Sequence, residues 1–449
     1  MPPQTPTSRT TIYLDQPPSC LQFCPASPNN LVIGTYLLSE NKSTDSDGLE
    51  TIQQKKTGSL HLWHLDPEND SLNQISRYAI DAAVFDLHFH PVNPEILAIA
   101  TSTGCISLFS VFKAGFTLLW NRSVHEDPTI PALYLAWVPA GWLEESLTSP
   151  VGSQSGGGNG DGFAVTFSDG RTGVFSLNRT DTGTEGNGEG EEDEPITEVG
   201  SFMAKQPIEV WFVAAASYAS VSETEDGAKQ STPYLFTGDD FGTLTTRRFA
   251  DVAAQHPPTS TSNQDGIENT TTQTISPLLL NSSDKALHHN AGVTSILPLP
   301  IPLFSGLTNG EPLLLTGSYD EYLRVYHAKR GGEVIAEAGL GGGVWRLQLV
   351  DIKNTGSTSE ARGRWEFLVL ASCMHAGTRV VRVTIGEAED GGAEADIEVL
   401  AEFTEHESMN YASDVWRANT GVNGIQGSEL RVVSSSFYDR RVCVWRVDV

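Results

Sequence analysis

The 449-residue chain carries 28 Lys and Arg against 56 Asp and Glu, a net charge of −28. Such a charge repels nucleic acid and anionic membrane surfaces and favours a cationic partner. Apolar residues make up 39% of the chain, enough for a substantial core, and the 42 Gly and 24 Pro suit a turn-rich protein and exclude collagen.

The cysteines, Cys20, Cys24, Cys105, Cys373 and Cys443, are scattered, without a pair of C-x-x-C elements. Neither a zinc site nor a disulfide framework is expected from that spacing. Met1–Thr10 has no apolar centre for a signal peptide, and no run of about 18 apolar residues is present to span a membrane. A cytoplasmic, reducing setting is the expectation.

Along the chain, helical periodicity is nearly absent and short alternating runs recur between Gly, Asn, Asp and Pro. After the strand-like run Thr10–Leu14, a turn followed by an alternating strand appears seven times. It reads TGSLHLW (57–63), TGCISLF (103–109), DGRTGVF (169–175), DFGTLTT (240–246), DEYLRVY (320–326), HAGTRVV (375–381) and DRRVCVW (439–445). Upstream of each lies an apolar run, and before that a second alternating element: SCLQFCP, AVFDLHF, ALYLAWV, IEVWFVA, GVTSILP, GVWRLQL and DVWRANT. Four strands per unit and seven units predict an all-β, seven-bladed WD40-type β-propeller, because such sheets bury both faces only in a closed ring. A β-sandwich or two β domains is the alternative, but neither requires the same element seven times. The expected blades span 11–66, 78–112, 116–178, 196–250, 275–328, 333–385 and 396–447, with Thr10–Leu14 closing the last. The polar or Gly/Ser-rich and acidic segments 40–56, 149–162, 180–194 and 251–275 are expected to be disordered insertions.

No P-loop, dinucleotide fingerprint, H-E-x-x-H or G-x-S-x-G motif is present. The pairs His61/His64 and His88/His90 lack a third ligand nearby and read as structural histidines. At the first position of the repeated turn, Asp169, Asp240, Asp320 and Asp439 suit turn hydrogen bonding. His375 replaces that carboxylate with a group titrating near neutral pH, which makes it a candidate general base or merely a tolerated turn residue. Val344-Trp345-Arg346 and Val415-Trp416-Arg417 read as one register in blades six and seven, placing Arg346 and Arg417 on channel-lining strands. They would pair with structural carboxylates or hold a developing oxyanion. Tyr319, Trp345, Tyr411, Trp416, Phe437 and Tyr438, with Glu321 and Asp414 nearby, could form a cage for a quaternary ammonium. All of these lie in blades five to seven.

The strings LLTGSYDEYLRVY, GGGVWRL, LASCMHAG, YASDVWR and SSSFYDRRVCVW, within residues 312–449, resemble diphthine methylesterases, WD-repeat enzymes of diphthamide biosynthesis. The resemblance implies hydrolysis of the methyl ester of methylated diphthine on translation elongation factor 2, giving diphthine and methanol before the final amidation. It implies no metal or organic cofactor, and elongation factor 2 as the partner of a monomeric enzyme. With that chemistry, His375 is the candidate base and Arg346 and Arg417 the electrostatic stabilisers. Cys373 is a candidate nucleophile two residues from His375, and Asp414 and Asp439 are candidate orienting carboxylates. A non-catalytic WD40 scaffold for cationic partners is the competing expectation.

Overall fold

The computed structural model describes residues 2–44, 50–143, 161–178, 194–223, 229–249, 280–303, 305–355, 364–388, 391–417 and 429–449. All 29 named elements among them are strands, arranged in seven antiparallel sheets, six of four strands and one of five. These are the seven blades of the propeller. Blade one comprises Pro18–Phe23, Asn30–Thr35, Glu50–Leu65 and Leu72–Ile80, with Leu37–Thr44 added along the third strand. Blade two runs from Val84–Phe89 to Gly115–Ser123 and blade three from Ala132–Trp137 to Ile196–Met203. Blade four runs from Val210–Glu223 to Leu280–Leu287, blade five from Val293–Pro298 to Glu333–Gly339 and blade six from Arg346–Asn354 to Ala393–Phe403. In blade seven, Ala412–Val415, Glu429–Ser436 and Arg441–Asp448 are completed by Ser8–Tyr13, whose Thr11 pairs with Cys443. The N-terminal run thus supplies the outer strand of the last sheet.

Burial follows from this layering. Second strands such as Asn30–Thr35, Gly162–Phe167 and Leu313–Ser318 are buried at every residue, being covered on both faces. The outer strand Ser8–Tyr13 alternates between half-buried and exposed. The core fills the space between blades: Leu313, Leu315, Leu323 and Val325 of blade five pack with Val344, Phe367 and Val369 of blade six. Gly317 permits that approach, since a Cβ there would stand 2.6 Å from Val344 Cγ1.

Buried polar groups pin the sheets. In blade seven the Trp445 indole donates to Ser434 Oγ at 3.0 Å, and His406 Nε2 lies 2.8 Å from the same oxygen. His289 Nε2 meets Thr316 Oγ1 at 2.9 Å in blade five, and His61 Nε2 meets Ser59 Oγ at 2.8 Å in blade one. Between blades seven and one, buried Asp70 takes Arg431 Nε at 2.6 Å and Arg446 Nε at 2.8 Å.

Three sequence expectations change. Residues 40–56 fall largely in a paired hairpin: Leu37–Thr44 runs antiparallel to the start of Glu50–Leu65, Leu37 opposite Thr57 and Thr44 opposite Glu50. Only 45–49 of this segment lie outside the described residues. The other three expected insertions lie wholly or almost wholly outside them. The sheets are also offset by one strand from the sequence repeats. Leu72–Ile80 ends blade one, although the expected spans stop at 66 and resume at 78, and Gly115–Ser123 ends blade two, where the span 116–178 places it at the head of the third. Finally, Asp169, Asp320 and Asp439 do accept turn N–H groups, from Arg171, Tyr322 and Arg441. Asp240 does not: Asp239 serves that turn, accepting from Phe241 N and Thr243 N, and Asp240 accepts the Trp211 indole N–H at 2.7 Å.

Candidate active site

Inner strands start at one face of the ring, and their first residues surround its central opening. Repeated hydrogen bonds fix their equivalence. Ser19 Oγ donates to Val84 O as Thr294 Oγ1 donates to Val344 O, each to the following blade. Phe89 N donates to Gln22 as Phe23 N donates to Asp414. One position therefore reads Ser19, Phe85, Leu133, Trp211, Thr294, Trp345 and Tyr411 around the ring. All but Thr294 line a cavity of about 500 Å³, joined by Tyr36, Leu37, Leu38, Tyr319, Phe437, Tyr438 and Arg440.

The rings form a continuous wall. Successive centroid distances are 5.4 Å for Phe85–Tyr36, 5.9 Å for Tyr36–Phe437, 5.5 Å for Phe437–Tyr411 and 5.1 Å for Tyr411–Trp345. Trp211 lies 5.6 Å from Trp345, and Tyr319 lies against both. The Asp240 carboxylate fixes the Trp211 indole, and burial pushes the Tyr319 phenol upward so that it stays neutral.

Arg346 forms the floor. Its guanidinium donates to the backbone carbonyls of Thr294 at 3.1 Å and Trp345 at 2.9 Å. Its Cζ sits 4.6 Å from the Trp345 ring centroid, 4.7 Å from Tyr134 and 5.5 Å from Phe212. It makes no ion pair with a carboxylate among the described residues. Below it a second cavity of about 180 Å³ is lined by Arg346, Asp86, His88, Tyr134, Gln348 and Asp414, among others. There His88 Nε2 lies 2.9 Å from Asp86 Oδ2. Asp414 is buried, which raises its carboxyl, and it accepts from Phe23 N and Val415 N at 2.7 Å and from Gln348 Nε2.

Of the residues singled out in the sequence, Tyr319, Trp345, Arg346, Tyr411, Phe437 and Tyr438 share the upper cavity. The rest lie elsewhere. His375 is exposed in the turn after Trp365–Ser372 and lines neither cavity. Cys373 is fully buried in the core between blades five and six, and burial pushes its thiol up to about 12, so it is no nucleophile at neutral pH. Asp414 borders only the lower cavity, and Asp439 is engaged by Glu407 N, Arg441 N and the Arg441 side chain. Neither touches His375. Glu321 is an exposed turn residue with φ +73°.

Arg417 and Trp416 were misplaced by the repeated tripeptide. Ala412, not Arg417, occupies the Arg346 position, and Arg417 falls five residues later. Its guanidinium donates to Leu349 O and Val350 O at 3.2 Å. The Trp416 indole donates to Asn29 Oδ1 and carries Arg431 on its ring. Sequence reading missed Tyr36, Phe85, Leu133 and Trp211. For Phe85, Leu133 and Trp211 the signal is the third column of AVFDLHF, GVTSILP and GVWRLQL, visible once ALYLAWV and IEVWFVA are each shifted by one, in opposite directions.

Fold and site define a WD-type seven-bladed propeller with a side-chain-sized aromatic mouth above an arginine. No family model matches the chain. Over 438 residues, 97% of this chain and 97% of the relative, it is 25% identical to a Schizosaccharomyces pombe protein named diphthine methyltransferase. It is 29% identical over 126 residues to the human protein of that name, covering 28% of this chain and 23% of that protein. The mouse protein gives 29% over 126 residues, 28% of this chain and 21% of its own length. A solved structure of Chaetomium thermophilum Sqt1 bound to the N-terminus of ribosomal protein L10 aligns with a TM-score of 0.48 at 13% identity, covering 98% of this chain and 99% of that one. The similarity extends along nearly the whole chain for the S. pombe protein and over 28% of it for the human and mouse proteins, all three named diphthine methyltransferase.

Proposed function

We propose that this chain hydrolyses the methyl ester of methylated diphthine on translation elongation factor 2, releasing methanol in the cytoplasm and leaving diphthine. The observation that carries the reading is Arg346, a guanidinium at the floor of an aromatic cavity with no carboxylate partner among the described residues. The substrate bears a trimethylammonium and a methyl ester on one carbon. Aromatic faces attract the quaternary ammonium by cation–π interaction. Beside them, Arg346 polarises the ester carbonyl and holds the oxyanion as water adds to the carbon. Collapse breaks the C–OCH₃ bond, methoxide leaves as methanol with the proton taken from water, and the product carboxylate pairs with Arg346. The Arg346 guanidinium lies 4.6 Å from the Trp345 ring, a spacing that suits two groups on one carbon.

The relatives' name speaks of methyl transfer, and one assay separates the directions. The purified protein is incubated with elongation factor 2 carrying methylated diphthine, without a methyl donor, and the protein substrate is weighed by mass spectrometry. Loss of one methylene equivalent with methanol release is the expected result. A gain that needs a methyl donor would make the chain a transferase, and no change with folded protein would support the scaffold reading. Two imidazoles are candidates for the proton transfer, His375 in its exposed turn outside both cavities and His88 beside Asp86 in the lower one. Replacing each in turn assigns it: the base's variant loses about 10²-fold or more in kcat.

A further inference from the structure

The cavity accepts one side chain, whereas the substrate of the proposed reaction is a residue on a folded protein. Burying one side chain removes a few hundred Å² at most, far below the roughly 1,200–2,000 Å² of a specific protein–protein interface. Further contact has to come from the surface around the mouth.

That surface is unusual. Five large aromatic residues are exposed among the described residues, and four of them, Tyr13, Phe241, Tyr322 and Tyr438, stand at the strand ends that carry the mouth. Tyr13 ends the outer strand of blade seven opposite Arg441, Phe241 and Tyr438 occupy turns after second strands, and Tyr322 opens a third strand. Only Phe112 lies at the other end. The Leu37–Thr44 and Glu50–Leu65 hairpin rises from the same rim, with Leu38 at its root 44% exposed. Eight paired positions at about 3.3 Å each make an arm roughly 25 Å long. Exposed aromatics gathered on one face mark an interaction surface. The charge selects the occupant. A net charge of −28 draws in a basic partner, and the exposed carboxylates Asp81, Glu126 and Glu321, at the same strand ends, make no ion pair among the described residues.

We infer that the mouth face is a docking surface for the folded protein that carries the modified side chain, engaging a basic patch around it through Tyr13, Phe241 and Tyr322. This rests on the proposed function, because the side chain in the cavity fixes which face is covered.

The test compares two substrates bearing the same methyl ester, the intact protein and a short peptide around the modified residue. The triple variant Tyr13→Ser, Phe241→Ser, Tyr322→Ser is expected to raise KM for the protein about tenfold or more. It leaves kcat, and both constants for the peptide, unchanged. Raising salt from about 0.1 M to about 1 M, which shortens the screening length from about 10 Å to about 3 Å, raises KM for the protein only. Equal constants for wild type and variant on the protein overturn the inference, as does an equal loss on both substrates. Should neither substrate be turned over, the proposed reaction fails, and calorimetric titration with the intact protein still decides docking. Binding weakened by the triple substitution upholds it, and binding absent or unaltered refutes it.

Discussion

Arg346 and Cys373 show how burial decides chemistry at the residue scale. Backbone carbonyls and three aromatic faces hold the Arg346 guanidinium in place of a carboxylate. Arg346→Gln is expected to lower kcat by about 10²–10³ while circular dichroism and melting stay close to wild type. Tyr411→Ala, which opens the aromatic wall, acts mainly on KM, and steady-state kinetics separates the two effects. Cys373 sits in the core with its thiol pushed up to about 12. Cys373→Ala therefore keeps its turnover, and thiol-directed alkylation of the native protein leaves activity intact. A chain inactivated by either change would restore a covalent route. Half of the site was legible because Tyr319, Trp345 and Phe437 belong to strings with a distinctive composition. Ser19, Phe85, Leu133 and Trp211 share a position without sharing a residue type, so no pattern of identities connects them.

For elements, register is the quantity a sequence states least directly. Seven repeats of turn and alternating strand specify seven sheets, because the pleat places every second side chain on one face. Two copies of Val-Trp-Arg do not specify equivalent places: the first spans the strand start at the mouth, whereas the second ends beyond Val415. A turn of blade one and the second and third strands of blade seven contribute another feature hidden from the sequence, the join between those blades. Asp70 holds Arg431 and Arg446 there with its carboxylate buried. Asp70→Ala removes the buried carboxylate that Arg431 and Arg446 share and is expected to cost about 3–5 kcal/mol. Glu429→Gln, on the exposed side of Arg446, costs less than about 1 kcal/mol. Urea denaturation of the two variants checks the difference, and equal losses would show that Asp70 does not secure the join.

At the scale of the whole molecule, three buried imidazoles link stability to pH. Burial is the first cause that pushes His61, His289 and His406 down to about 4. In the unfolded chain each titrates near 6.5. Between those values the unfolded chain binds more protons, so stability falls as pH falls from about 6.5 to about 4, by up to about 1.4 kcal/mol per pH unit for each ring. Melting temperatures measured across that range should fall steeply, and His406→Asn should reduce the slope by about one proton. A flat profile would contradict the burial of these rings.

Ser8–Tyr13 completes a sheet whose other strands come from the far end of the chain, and Thr11 meets Cys443 across 432 residues. During translation the first strand therefore waits for the last. At about 5–20 residues per second that delay lasts on the order of tens of seconds, with the backbone of the first strand bare to any neighbouring chain. The circle locks only once Arg441–Asp448 has been made and Ser8–Tyr13 has found it.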